Sequence, residues 1–333
     1  MLKTHNENSK QPDGVSVIIC CYNSIDRISE TLQHLVAQRT LNNFPWEIVL
    51  VDNASTDETK AVAADSWERH GDPSIPFRIV DETIPGLSAA RQRGIDSAQF
   101  EVIVFCDDDN LLSENYIQSA YEILSSNPSI GAIGGRSTAK TEGDFPEWWD
   151  TYKGYYAVGE QAKAPGNVAP RKFLWGSGLS LRKSLWNEIF KEHPSILTGR
   201  LGNNLTSGED SEICARLLIL GYQLHYYPDL SFVHLIPTQK LTTDYRDRLL
   251  AGLSETKSIL RPYRQYIDYL HLTKFHRELK IAKLFNKALF YSITANPKSS
   301  REFNALFIVS GKFSAKASHS AKIVREVCLS LQR

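Results

Sequence analysis

The sequence carries no excess of charge. Its 38 Lys plus Arg are matched by 38 Asp plus Glu, which excludes an overall field able to hold nucleic acid. Cysteine is scarce, and Cys20, Cys21, Cys106, Cys214 and Cys328 form an odd set with no C-x-x-C pair. Three of them sit inside apolar runs, so the pattern argues against a disulfide framework or a zinc site. No apolar run approaches the ~18 residues needed to cross a bilayer. The opening MLKTHNENSKQPDG is polar where a secretory leader needs an apolar stretch. The chain is therefore expected on the cytoplasmic side, with the sequons at Asn53 and Asn204 as chance matches. The phosphate-cradling pattern GxxxxGK[ST] is also missing.

What is present is an ordinary globular composition, 42% hydrophobic and 10% aromatic over 333 residues, enough for two domains or one large domain with an appended segment. The neutral total hides a split: residues 261–333 hold 14 basic and 4 acidic side chains, net +10, leaving net −10 on residues 1–260. Short apolar runs, VSVIICC (15–21), WEIVLV (46–51), FRIV (77–80), EVIVFC (101–106) and IGAIGG (130–135), alternate with amphipathic stretches near 25–38, 57–69, 87–98 and 113–125. Apolar strands separated by helices predict an α/β fold: a mostly parallel, Rossmann-like central sheet covered on both faces. The expected organisation is a polar tail (1–14), a Rossmann-like half (15–136), a second half (137–240) and a basic helical segment (241–333).

Ligands of such sheets bind beyond the carboxyl ends of the strands. There the sequence places Tyr22-Asn23, Asp52-Asn53, Asp81-Glu82 and Asp107-Asp108-Asp109. Three adjacent acids repel one another, so the triplet points to a hard divalent cation shared with a phosphate, or else to a solvated loop or a helix cap near Ser113. Asp52, one step before a turn carrying Ser55, Thr56 and Asp57, is a candidate for a base or ribose contact, whereas Ser55 and Thr56 read as helix caps. PGLSAARQRGI (85–95) opens a helix carrying Arg91 and Arg93; Arg91 suits a pyrophosphate or an ion pair with the acidic strand ends.

Asp210 stands in TSGEDSEICARLLILGY (206–222). Ser207 with Asp210 matches a capping box, yet Asp210 also shares the helical stripe of Ile213, Leu217 and Leu220. That stripe turns Asp210 inward, as a general base would be, with Glu209, Glu212 and Arg216 expected to point elsewhere. His234, in the apolar SFVHLIP, is either a core histidine or a metal ligand. The aromatic run FPEWWDTYKGYY (145–156) and LWGSGLSL (174–181) look like ligand-covering loops. In IAKLFNKALFYSI (281–293), Ile281, Leu284, Phe285, Ala288 and Leu289 form an apolar stripe with Lys283 and Lys287 off it, a pattern for membrane-interface contact or for packing.

Taken in order, VSVIICCYNS, VDNASTDET, PGLSAARQRG, FCDDDN, WGSGLSLRK and SGEDSEICARLLILGY resemble the family 2 glycosyltransferases, from about Val15 to about Pro237. The resemblance implies a GT-A fold and an inverting transfer from a nucleotide sugar, UDP by analogy, to a glycan or lipid-linked acceptor. It implies Asp210 as base, and Mn²⁺ or Mg²⁺ on the diphosphate held by Asp107, Asp109 and His234. It implies a nucleotide-sugar-binding half (15–136) with Asp52 on the base and Asp107 and Asp108 near the ribose, and an acceptor-binding and catalytic half (137–240); Asn23, Asp57, Arg91 and Glu209 are further candidate substrate contacts. Trp148, Trp149 and Trp175 are the candidate acceptor platforms. Cys20-Cys21 departs from the Pro-Thr pair usual before Tyr-Asn, which touches the strand end and no catalytic role. The competing readings are a sugar nucleotidyltransferase, whose glycine- and lysine-bearing signature is missing, and a carbohydrate-binding scaffold, which would have no need of these acids.

Overall fold

The computed structural model describes residues 12–41, 44–197, 199 and 207–332; most of the polar tail and the Asn204 sequon lie outside these residues. The chain alternates β1 (Val15–Cys21), α1 (Ile28–Val36), β2 (Trp46–Asp52), α2 (Thr59–His70), β3 (Phe77–Asp81), α3 (Leu87–Ser97) and β4 (Val102–Asp107). It continues through β5 (Asn110–Leu112), α4 (Tyr116–Ser126), β6 (Ile130–Lys140), α5 (Trp149–Tyr152), β7 (Gly166–Asn167), β8 (Ser180–Arg182) and α6 (Lys183–Phe190). It ends with α7 (Glu209–Ile219), β9 (Gln223–Leu235), α8 (Thr243–Leu270), α9 (Lys274–Ile293), α10 (Ser299–Ser310) and α11 (His319–Ser330).

These strands form one sheet in the order β3-β2-β1-β4-β8-β6-β9-β5, with β7 on β9. The β3-β2-β1-β4 part and the β6-β9 pair are parallel. The apolar runs become central strands because residues alternate between the two faces. Ile18, Val49, Val51, Ile103 and Phe105 join the core under α3, α6 and α7. Val17, Ile19, Ile48, Leu50 and Val104 join the one under α1 and α4.

The structure corrects the sequence reading in its second half. IGAIGG is not the next parallel neighbour of β4, because the short β8 is inserted between them, antiparallel to both. The segments QLHYYP and LSFVHLIP form one continuous strand, β9. β6 runs across residue 136, so residues 15–136 and 137–240 share one sheet.

Helix α7 departs most from expectation. Glu212 and Arg216, expected to point away from the Asp210 stripe, are fully buried. They form an i, i+4 ion pair of 2.6 Å, and Tyr263 of α8 donates its hydroxyl to Glu212 Oε1 at 3.1 Å. The Arg216 guanidinium also donates to the carbonyls of Ile189, His193 and Pro194. A buried carboxylate and guanidinium are tolerable only when both are paired and bonded on all sides, and α8 supplies the wall that makes this possible. Burial and the adjacent Glu212 carboxylate push the Tyr263 hydroxyl pKa far up, keeping it a neutral donor. Residues of α8, α10 and α11, among them Tyr263, Ile308, Val324 and Cys328, continue the core beneath α7.

The 281–293 stripe is largely used in packing. Ala288 is buried, and Ile281 and Leu284 lie against the core, while Phe285 and Leu289 sit at its exposed edge. Among the described residues no helix is long and apolar enough to cross a membrane.

Arg216→Met should lower folding stability by about 3–5 kcal/mol, because it strands Glu212 in the interior. Adding Glu212→Gln to it should recover part of the loss. Denaturant unfolding of the two variants checks this; equal losses would mean that the ion pair does not organise α7.

Candidate active site

The strand ends fall into line across the parallel half. Cys20 of β1 is opposite Asp107 of β4, and Cys21 is opposite Asp52 of β2, which is opposite Asp81 of β3. The order reverses between β1 and β4, the crevice where open α/β sheets bind ligands. Asp52 and Asp107 therefore flank the end of β1.

The two loops of this edge are stitched together by the residues between them. Asn23, in the left-handed region at φ 49°, accepts from Thr56 N through its side-chain oxygen at 2.8 Å, and its own N donates to Ser55 Oγ at 3.1 Å. Asp57 accepts from Thr59 and from Ile25 N at 3.3 Å. Burial opposes its ionisation, but the Thr59 and Ile25 hydrogen bonds together prevail and hold its carboxyl below the usual range. Asp52 accepts from Ser55 N at 3.3 Å and remains half-buried at the crevice. Asn53 is buried, accepting from Gly86 N and donating to the carbonyls of Glu82 and Ile84, so it fixes the loop that opens α3.

The acidic triplet divides three ways. Asp107 accepts from Ser177 Oγ at 2.6 Å. Asp108 turns away from Asp107 toward α1, paired with Arg27 at 2.7 Å and bonded to Ser24. Burial raises its carboxyl pKa, Arg27 opposes this, and the neighbouring Asp109 adds to it. Asp109 lies between His234 Nε2 at 3.3 Å and Lys240 Nζ at 3.1 Å. Burial opposes its ionisation, yet Lys240 and His234 together hold its carboxyl far below the ordinary range. His234 Nδ1 is buried without a hydrogen-bond partner, so the ring is oriented through Nε2 and Asp109.

Asp210 sits in the first turn of α7, half-buried. The capping box is not formed: Gly208 is the cap, with no side-chain bond. The Asp210 carboxylate instead accepts from Ser211 N at 2.6 Å and Gly176 N at 3.0 Å. Burial and then the neighbouring Glu209 push its pKa up to about 6, against the pull of Arg91. Glu209 is buried and accepts from Gly208 N at 2.8 Å. Arg91 is buried, its guanidinium 4.9 Å from the Phe105 ring centre and close under Gly176. A Cβ on Gly176 would lie 2.8 Å from the Arg91 guanidinium and 3.4 Å from Asp210, so a side chain here would have to displace Arg91.

Consecutive residues of one turn thus hold two acids from different elements: Gly176 binds Asp210 and Ser177 binds Asp107. Trp175 precedes them, its N donating to Gln161 and its ring 5.0 Å from the Arg171 guanidinium. Of the other aromatics, Trp149 is buried in a satellite core with Tyr156, Val158 and Leu249. Trp148 is half-buried under Arg246, at 5.2 Å. The sequence reading missed Arg27, Gly176, Ser177 and Lys240. Ser177 lay inside a quoted motif, whereas nothing in the pattern around Lys240 marked it.

Among the described residues no group of three or more His, Cys, Asp or Glu side chains could hold a metal ion by itself. Asp109 and His234 do offer one ionised carboxylate and one imidazole side by side. That donor set suits Mn²⁺ or Mg²⁺ when phosphate oxygens complete the shell, as these ions commonly bind nucleotides.

The family model for "Glycosyl transferase family 2" matches residues 16–189. The chain belongs to this family. The poly-β-1,6-N-acetyl-D-glucosamine synthase of Staphylococcus epidermidis is 21% identical over 229 residues, 68% of this chain and 51% of that protein. The glycosyltransferase AglE of Haloferax volcanii is 24% identical over 66% of each chain. The chain spans about half the length of the first of these relatives. Among solved structures, S. aureus TarS 1–349 in complex with UDP-GlcNAc is similar at a TM-score of 0.51 and 16% identity, over 96% of this chain and 91% of that one. GalNAc-T7 with UDP, GalNAc and Mn²⁺ is similar at 0.53 and 15%, over 79% and 50%. These likenesses establish the GT-A fold.

The raised pKa of Asp210 gives a linkage test. Its protonated form contributes stability that is fully present below the unfolded carboxyl value, about 4, and is lost as pH rises through about 6. Asp210→Asn should therefore be more stable than the parent at pH 7.5, by about 1–2 kcal/mol after solvent screening, and indistinguishable from it near pH 3.5, provided both remain folded. Thermal unfolding at the two pH values reads this, and a difference that does not depend on pH would contradict it.

Proposed function

We propose that the chain is an inverting, metal-assisted glycosyltransferase that moves a sugar from a UDP-sugar to a hydroxyl of a glycan or lipid-linked acceptor. The observation that carries this reading is the 176–177 turn, which joins the candidate base Asp210 to the acid motif through Asp107. A base and a diphosphate site tied to adjacent backbone positions can act on the two sides of one anomeric carbon.

In this reading Asp52 at the end of β2 accepts from the base, and Asp107 at the end of β4 faces the ribose. A divalent ion on Asp109 and His234 would neutralise charge on the departing diphosphate. Arg91 adds fixed positive charge beneath the same region. Asp210 removes the proton of the acceptor hydroxyl, which attacks the anomeric carbon in line and inverts it. A pKa near 6 leaves Asp210 ionised at neutral pH and still basic enough to accept that proton. Trp175 and the half-buried Trp148 are the acceptor platforms, while Trp149 holds the loop in place. Asn23, Asp57, Asp108 and Glu209 act by positioning: the first two join the β1 and β2 loops, Asp108 anchors α1, and Glu209 raises the basicity of Asp210. The named activities of the relatives, synthesis of poly-β-1,6-N-acetyl-D-glucosamine and a poly(ribitol-phosphate) β-glucosyltransferase in Bacillus spizizenii, support a cell-envelope polysaccharide as acceptor. The basic segment 271–333 is proposed to bring the enzyme to the inner face of a membrane.

Asp210→Asn keeps the shape of the site but cannot accept a proton. Transfer should fall by about 10² or more, with donor affinity nearly unchanged, while the parent's rate should rise with pH through about 6. Assays with a panel of sugar nucleotides check this, and wild-type turnover by the variant would reduce Asp210 to a structural residue. The released product separates the alternative: a nucleotidyltransferase would yield pyrophosphate instead of UDP.

Asp109→Ala should abolish Mn²⁺-assisted binding of UDP in calorimetric titration. Unchanged affinity would remove the acid motif from the metal assignment.

A further inference from the structure

The inward stripe of α9 is occupied by packing, but a second apolar face of the same helix is not. Phe275, Leu279, Ala282, Asn286, Phe290 and Ile293 follow one another at spacings of three or four and are all exposed, so they lie along one side of the helix. Phe275 is 69% exposed, Phe290 61% and Ile293 76%. Leu289 and Phe285 widen the face, and the Phe285 ring meets exposed Phe313 at 5.8 Å between centres. Exposed apolar surface of this extent on one helix marks an interaction site.

Charge selects the partner. α9 carries five Lys or Arg against the single Glu278. Lys283 and Lys287 are exposed along one flank of the apolar row, Lys274 on the other, and exposed Lys312 and Lys316 neighbour Phe313. A second copy docked face to face about a two-fold axis would bring these lysines against their own equivalents, which repel. An anionic bilayer takes the rings and aliphatic chains between its acyl tails and the lysines at its head groups.

We propose that the outer face of α9, extended by Phe313 and rimmed by Lys274, Lys283 and Lys287, is a docking surface for an anionic lipid membrane. This deepens the proposed membrane contact of segment 271–333 and moves it to a different face of the helix. The test uses neither donor nor acceptor, so its outcome is separable from that of the transfer reading.

The full chain is sedimented with vesicles of equal parts phosphatidylcholine and phosphatidylglycerol, and with phosphatidylcholine alone. The parent should bind the anionic vesicles, and Phe290→Ser with Ile293→Ser should reduce the bound fraction at least about fivefold. Lys283→Gln with Lys287→Gln should produce a comparable loss and flatten the salt dependence. All four positions are exposed, so circular dichroism and Tm should be unchanged. Equal binding by parent and variants, or binding by none, overturns the proposal. So does a concentration-dependent dimer in sedimentation velocity that the Phe290/Ile293 variant disperses without any vesicle binding; in that case a second copy covers the face.

Discussion

Carboxylates at the ends of neighbouring strands repel one another, and most of the local structure around the crevice answers that repulsion. Asp107, Asp108 and Asp109 are consecutive, yet each has a different partner: a serine hydroxyl on a turn, the arginine that precedes α1, and a histidine of β9 with a lysine after it. The charges are thereby turned in different directions and separately compensated. Among the described residues Asp210 forms no ion pair; it accepts from two backbone N–H groups, with Glu209 beside it and Arg91 pulling against it. Opposite neighbourhoods thus produce opposite shifts within one crevice: Lys240 and His234 hold Asp109 low, whereas burial raises Asp108 and Asp210.

The parallel half was legible because burial on both faces demands unbroken apolar runs, and VSVIICC, WEIVLV and EVIVFC have no other good explanation. β8 was not legible. It is three residues long, reads Ser-Leu-Arg, and becomes a strand only because β4 and β6 pair with it on either side. Tertiary hydrogen bonding of that kind leaves no periodic trace.

At the candidate site the stripe argument turned Asp210 inward, yet its off-stripe neighbours Glu209, Glu212 and Arg216 are buried more deeply than Asp210 itself. Placing Glu212 and Arg216 off the Asp210 stripe gave no sign of their burial, because an i, i+4 Glu/Arg pair can also be the form in which charge enters a core. The discriminating information was in α8, 28 residues long and carrying Tyr263 some 50 positions away, beyond the reach of any local window. Likewise, the density of rings in FPEWWDTYKGYY was read as a ligand platform. Trp149 shows that part of it is a small core, pinned by Tyr156 and by Leu249 of α8.

The appended look of the last ninety residues is misleading for anyone who would exchange or shorten them. Gln332 donates to the carbonyl of Ile219 at the end of α7, and Tyr263 reaches its middle. α7 is the helix whose first turn carries Asp210, so it is braced along its length from the C-terminal side. A chimera that grafted a foreign tail onto residue 240 would keep every motif in the crevice and still lose the wall against which α7 and its Asp210 are set. The module boundary that matters for transplantation therefore lies outside the family-matched region, and the tail must travel with the catalytic body.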